Sequence, residues 1–260
     1  MDEINYQKFT KQLIQNLTGD SRVIGLVALG SMANLSRRDR WSDHDFFAIV
    51  EAGMQQTFRE NLQWLPHHER IVIAYQETDH GLKVIYDDAH VLEFAVFDAE
   101  ELLLARVNDY AVLLDKASIG ETFEKIEKIS RHVTPRTDDY YWGQFLAHLV
   151  VGIGRYLRGE HLSGHVFVKQ YALADILPLF ANYSEPNDGA KLDNLDAYRR
   201  FESAFPEIGA SLNNILLQPV PQACTQLLAL MQVSFSHLSS FPSVGIETVK
   251  QYIEDEIARL

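Results

Sequence analysis

Residues 23–50, VIGLVALGSMANLSRRDRWSDHDFFAIV, constrain this chain more than any other stretch. Two apolar runs of strand character, Val23–Leu29 and Phe46–Val50, flank a polar connector. The first run ends in Gly30-Ser31, and the second opens on Asp43 and Asp45, separated by His44. Side chains alternate along an extended chain, so carboxylates at i and i+2 face the same way. Held that close they repel unless a cation lies between them. Two hard oxygen donors suit Mg²⁺, which keeps several waters and takes one or two carboxylates together with substrate phosphates. Gly30 permits close approach of a ligand to the backbone, and a short helix over Met32–Leu35 would turn free N–H groups toward an anion. The competing reading is a plain inter-strand turn with Asp-x-Asp as a solvated strand start.

An apolar strand, Gly-Ser, an eleven-residue spacer, then Asp-x-Asp and aromatics resembles the signature of the polymerase-β-like nucleotidyltransferase superfamily. The chain looks like its small bacterial members, the aminoglycoside and lincosamide nucleotidyltransferases. That resemblance implies that Gly30 and Ser31 hold nucleotide phosphates and that Asp43 and Asp45 hold metal, with two Mg²⁺ ions serving an in-line displacement. It also implies a third carboxylate from a neighbouring strand, and Glu93 matches by position, as metal ligand or as base for an acceptor hydroxyl. A lone carboxylate in VLEFAVF is otherwise unfavourable unless it is paired or at an exposed edge, which is the competing reading.

A chain of 260 residues holds one large domain or two modest ones and buries a substantial core. No apolar run reaches membrane-spanning length, and MDEINYQKF carries no signal-peptide pattern, so a cytoplasmic location is expected. The single cysteine, Cys224, excludes an intrachain disulfide framework and a cysteine zinc cluster. A net charge of −13 speaks against a general nucleic-acid binder and is compatible with a cationic small substrate. The ten histidines show no zinc spacing, and no P-loop, Rossmann glycine pattern or nucleophile elbow occurs.

Along the chain, Phe9, Leu13 and Leu17 form one stripe of a helix over residues 5–18. A helix is expected over Gln55–Leu65, ended by Pro66. Strands are expected over Arg70–Gln76, Leu82–Tyr86, Val91–Phe97 and Ala111–Asp115, with a helical stretch over Asp98–Arg106. Beyond residue 116 the pattern turns helical: Glu121–Ser130, a break at Thr134-Pro135-Arg136, then Thr137–Arg158 with Gly159 as C-cap. Helices over His165–Phe180, Leu192–Phe205, Pro221–Ser239 and Gly245–Leu260 follow, with a loop over Asn182–Ala190.

The expected fold is therefore α+β. A nucleotidyltransferase-type mixed sheet with helices occupies residues 1–118, as the catalytic domain, and a helical bundle on the acceptor side occupies 119–260. By resemblance the acceptor lies between the halves, and Lys169 contacts nucleotide phosphate, against the alternative of a helix-surface lysine. Arg37, Arg38 and Arg40 are phosphate candidates or solvated loop residues. Tyr140, Tyr141 and Trp142 read as core more readily than as a ligand platform. The function implied is Mg²⁺-dependent transfer of a nucleoside monophosphate, AMP from ATP in the first instance. The acceptor is a hydroxyl of a small molecule such as an aminoglycoside or lincosamide antibiotic, and pyrophosphate is released. The rivals are a non-catalytic, regulatory protein of this fold with an antitoxin-like binding role, and an enzyme modifying a protein or tRNA end.

Overall fold

The computed structural model describes residues 2–132, 136–189 and 191–259. The chain divides into two compact units, Met1–Val133 and Thr134–Leu260.

The first unit opens with α1 (Glu3–Gly19), capped by Asp2, whose carboxylate accepts from the Asn5 amide at 2.8 Å. Its buried stripe is Tyr6, Phe9, Leu13 and Leu17. Six strands follow: β1 (Val23–Leu29), β2 (His44–Val50), β3 (Ile71–Gln76), β4 (Gly81–Tyr86), β5 (Val91–Phe97) and β6 (Tyr110–Asp115). They form one sheet in the order β3-β4-β5-β2-β1-β6. β2 and β5 run parallel and the other four pairings are antiparallel. Buried on both faces, β1 is a near-continuous apolar run.

The alternation of β2 and β5 assigns the two faces. Phe46, Ala48, Val50, Leu92, Phe94 and Val96 share a core with Phe9, Leu13 and Leu17 of α1 and with Phe58 of α3 (Gln55–Glu60). Ile49, Ala95 and Phe97 face the other way and pack with Leu102, Ile119, and Phe123 and Ile126 of α4 (Gly120–Arg131). Because the stripe Ile119, Phe123, Ile126 fits that sheet face, α4 belongs to the first unit. The division falls after α4. Of the expected helix break at Thr134-Pro135-Arg136, only Arg136 lies among the described residues.

The second unit has its own core. It comprises α5 (Asp138–Leu157), α6 (His161–Val166), a π-helical turn (Phe167–Tyr171) leading into α7 (Ala172–Tyr183), α8 (Phe201–Ala204), α9 (Pro206–Leu216), α10 (Val220–Phe235) and α11 (Ser243–Ala258). Trp142, Phe145, Phe180, Leu227 and Phe235 are among its buried residues, whereas Tyr140 is exposed. Gly152 lets α5 approach the π-helical turn closely, and Gly164 lets α6 approach α5: a Cβ on Gly152 would meet Val168 Cγ2 at 2.6 Å, and one on Gly164 would meet Tyr156 Cβ at 2.7 Å. Gly159, at φ +91°, ends α5 as expected.

Three expected helices are cut short for local reasons. α3 stops at Glu60 because the Asn61 side chain takes the Gln63 amide, and Trp64 Nε1 donates to the Phe58 carbonyl. Residues 98–106 form only a 3₁₀ turn, Glu101–Leu104, behind the Asp98 carboxylate, which accepts from two amides. Over 192–205 the Asp193 and Asp196 carboxylates take the Leu195 and Tyr198 amides, and Arg200 is left-handed, so only α8 is helical. α9 was not expected; Pro206 starts it at a position where a missing N–H does no harm.

Candidate active site

The antiparallel ladder between β1 and β2 reaches Ala28↔Phe46 and no further. Beyond that pair, Gly30-Ser31 leaves one strand and Asp43–Asp45 enters the other. Gly30 is left-handed at φ +51° and opens α2 (Gly30–Ala33), two residues earlier than expected; a 3₁₀ turn, Leu35–Arg37, follows. A Cβ at Gly30 would lie 3.5 Å from Asp45 Oδ2, so the glycine backbone abuts that carboxylate. The Gly30 amide donates to the Asp109 carbonyl at 3.0 Å and is not directed at a ligand.

Asp45 and Glu93 are register partners of the parallel β2–β5 pair and share a sheet face. They continue the rows Phe47, Ile49 and Ala95, Phe97 past the point where the cover of α4 ends. An acidic step thus follows an apolar one along the same two strands. Glu93 also faces Lys83 on β4, whose ammonium lies 3.4 Å from Glu93 Oε2 and 2.7 Å from Glu77 Oε1. The Glu93 side chain is 50% exposed, so its carboxylate is shared between this pairing and solvent. Among the described residues, no three His, Cys, Asp or Glu side chains gather closely enough to hold a metal ion. A two-carboxylate donor set completed by water fits the habits of Mg²⁺.

Sequence reasoning passed over the residues beneath this edge. The Tyr6 hydroxyl donates to the Asp43 carbonyl at 2.7 Å. Burial pushes the phenol above its ordinary range, Arg38 pulls it down, and the Asp43 and Asp45 charges raise it further. His44, between the two aspartates, points to the opposite face and is fully buried. Its ring stacks on Tyr6 at 3.7 Å, Nε2 meets Thr10 Oγ1 at 2.9 Å and Nδ1 meets His90 Nε2 at 2.7 Å. Burial holds His44 well below the usual histidine range and lowers His90 to about 4. Period-two alternation could have placed His44 in the core. Tyr6 was readable only as one more member of the α1 stripe.

The connector arginines are engaged locally. Arg37 pairs with Asp109 at 2.5 Å. Arg38 pairs with Glu3 at 3.2 Å and lies over the Tyr6 ring at 4.3 Å, and Arg40 lies over Trp41. Lys169, in the second unit, donates to the Leu216 and Gln218 carbonyls at 2.7 and 2.6 Å, closing the C-terminus of α9, and burial lowers its pKa.

No known protein family and no curated protein matches the sequence. Among solved structures the chain is similar to an aminoglycoside 6-adenyltransferase from Bacillus subtilis, at 17% identity over 96% of this chain and 98% of that one, with a TM-score of 0.41. It is similar to a nucleotidyltransferase-like protein from Exiguobacterium sibiricum, at 10% identity over 88% and 75% of the two chains, TM-score 0.34. A STING-associated CdnE c-di-GMP synthase from Capnocytophaga granulosa matches at 11% identity over 98% and 80%, TM-score 0.28. Among the described residues, no helix is long and apolar enough to cross a membrane.

Proposed function

We propose that the chain is a Mg²⁺-dependent nucleotidyltransferase that moves a nucleoside monophosphate, AMP from ATP in the first instance, onto a hydroxyl of a small molecule. The observation that carries this reading is the convergence, where the β1–β2 ladder ends, of left-handed Gly30 and Ser31 with the Asp43/Asp45 pair. Asp43 and Asp45 would hold Mg²⁺, which when bound neutralises charge on the triphosphate. Gly30-Ser31 admits the phosphates close to the backbone, and Ser31 orients them. Glu93, beside Asp45 in register and half exposed, accepts the proton of the acceptor hydroxyl once that hydroxyl displaces Lys83 as its partner. Much of the rate then comes from positioning and charge stabilisation. The acceptor class suggested by the motif resemblance is an aminoglycoside or lincosamide, and the net charge of −13 suits a cationic one. Lys169 has one ammonium proton left beyond its two carbonyl bonds, and its phosphate role rests on resemblance alone.

A second reading, a regulatory protein of this architecture that has lost chemistry, is favoured by one observation: the Lys83 ammonium already engages Glu93. The discriminating experiment is thermal unfolding with Mg²⁺ and each of ATP, GTP, CTP and UTP. A ligand at a hundred times its Kd stabilises the native state by about 2.7 kcal/mol. A Mg²⁺-dependent rise with at least one triphosphate is expected for the transferase. No shift with any of them would overturn it in favour of the regulatory reading.

A further inference from the structure

We infer that Tyr6 is a positioning residue for this site: its hydroxyl fixes the backbone that enters β2 through the Asp43/Asp45 pair. The inference rests on the transferase reading and adds a residue from outside the motif. The β1–β2 ladder stops at Ala28↔Phe46, so no backbone pairing within it holds Asp43. The Tyr6 hydroxyl does so instead, donating its proton to the Asp43 carbonyl at 2.7 Å.

The ring that carries this oxygen is itself immobilised. Tyr6 is 1% exposed. The His44 imidazole stacks on it at 3.7 Å and an interplanar angle of 18°, and the Arg38 guanidinium lies over it at 4.3 Å. Two planar groups that close cannot share one face, so the phenol is sandwiched. His44 is pinned in turn by Thr10 and His90, and Arg38 by Glu3 and the Met32 carbonyl. The residue between the two aspartates therefore forms one wall of the slot, and α1 delivers the tether into it. A phenylalanine would fill the same core space, so the hydroxyl alone carries the positioning.

The test uses the full chain carrying Tyr6→Phe, which keeps both ring contacts and deletes the hydroxyl. Without ligand, hydrogen–deuterium exchange should quicken at residues 42–46 and stay unchanged elsewhere in the sheet. In titrations with a non-hydrolysable triphosphate analogue, the Mg²⁺ concentration for half-saturation should rise about tenfold, the effect of one lost buried hydrogen bond. Pyrophosphate release should show kcat lowered about tenfold with the KM for nucleotide little changed. Exchange rates and Mg²⁺ dependence equal to wild type would overturn the inference and leave the transferase reading standing. Failure of the wild type to bind any Mg²⁺–triphosphate overturns both. A Tyr6→Phe chain that does not fold also overturns the inference, because a positioning hydroxyl leaves the core intact.

Discussion

Asp43 and Asp45 flank His44 where the chain enters β2, and Asp→Asn at either keeps the side chain's size while removing its charge. Asp43→Asn and Asp45→Asn should each abolish detectable nucleotide transfer while the chain stays folded. Steady-state kinetics beside thermal unfolding check this; near wild-type turnover in either variant sinks the metal assignment. Glu93 separates the two functional readings. Glu93→Gln should lower kcat by at least about a hundredfold as a lost general base, with Mg²⁺–nucleotide binding largely kept. An unaltered kcat would leave Glu93 as the surface partner of Lys83. For Lys169 the geometry favours a cap: Lys169→Met leaves the Leu216 and Gln218 carbonyls unpaired, and a denaturant midpoint should report about 1–3 kcal/mol of lost stability. Loss of transfer at unchanged stability would return that lysine to the phosphates.

Among the elements, α1 binds to the sheet through a buried pair of imidazoles, and this makes the first unit sensitive to acid. A histidine whose folded-state pKa lies below its unfolded one binds fewer protons in the fold. For His90, lowered from 6.5 to about 4 by burial, the support is complete above 6.5 and is lost progressively as pH falls toward 4. Urea unfolding of wild type and His90→Gln at about pH 7.5 and about pH 5 measures it, the wild type losing more stability on acidification. Equal losses would remove His90 from the account. The same elements show what pattern reading reaches. Phe9, Leu13 and Leu17 announce α1, and alternation announces Asp45 and Glu93 on one face. The Lys83–Glu93 pairing depends on the β4–β5 register, which is a tertiary property, and no periodicity in GLKVIY or VLEFAVF reveals it. Asn61, Asp98, Asp193 and Asp196 shorten their helices by taking backbone amides, a competition that composition averages hide.

In the whole molecule, the two units carry separate cores, one between the sheet and its helices and one among α5–α11. The order of a mixed sheet followed by helices was readable from where β-branched alternation gives way to helical stripes. The placement of α4 was not, because an amphipathic helix does not say which surface will cover it. At the site, the Gly30-Ser31 and Asp43/Asp45 motif was readable from spacing, whereas its support by Tyr6 required the path of α1 over the sheet. The proposed transferase binds a Mg²⁺–triphosphate at this edge and transfers its nucleotide. The measurement is pyrophosphate release by wild type and Asp45→Asn, with each triphosphate and Mg²⁺, across aminoglycosides, lincosamides and other hydroxylated small molecules. Acceptor-dependent release by the wild type is expected with at least one pairing, abolished in Asp45→Asn and by chelation of Mg²⁺. Release that persists in Asp45→Asn at the wild-type rate, or a wild type silent with every pairing, would contradict it.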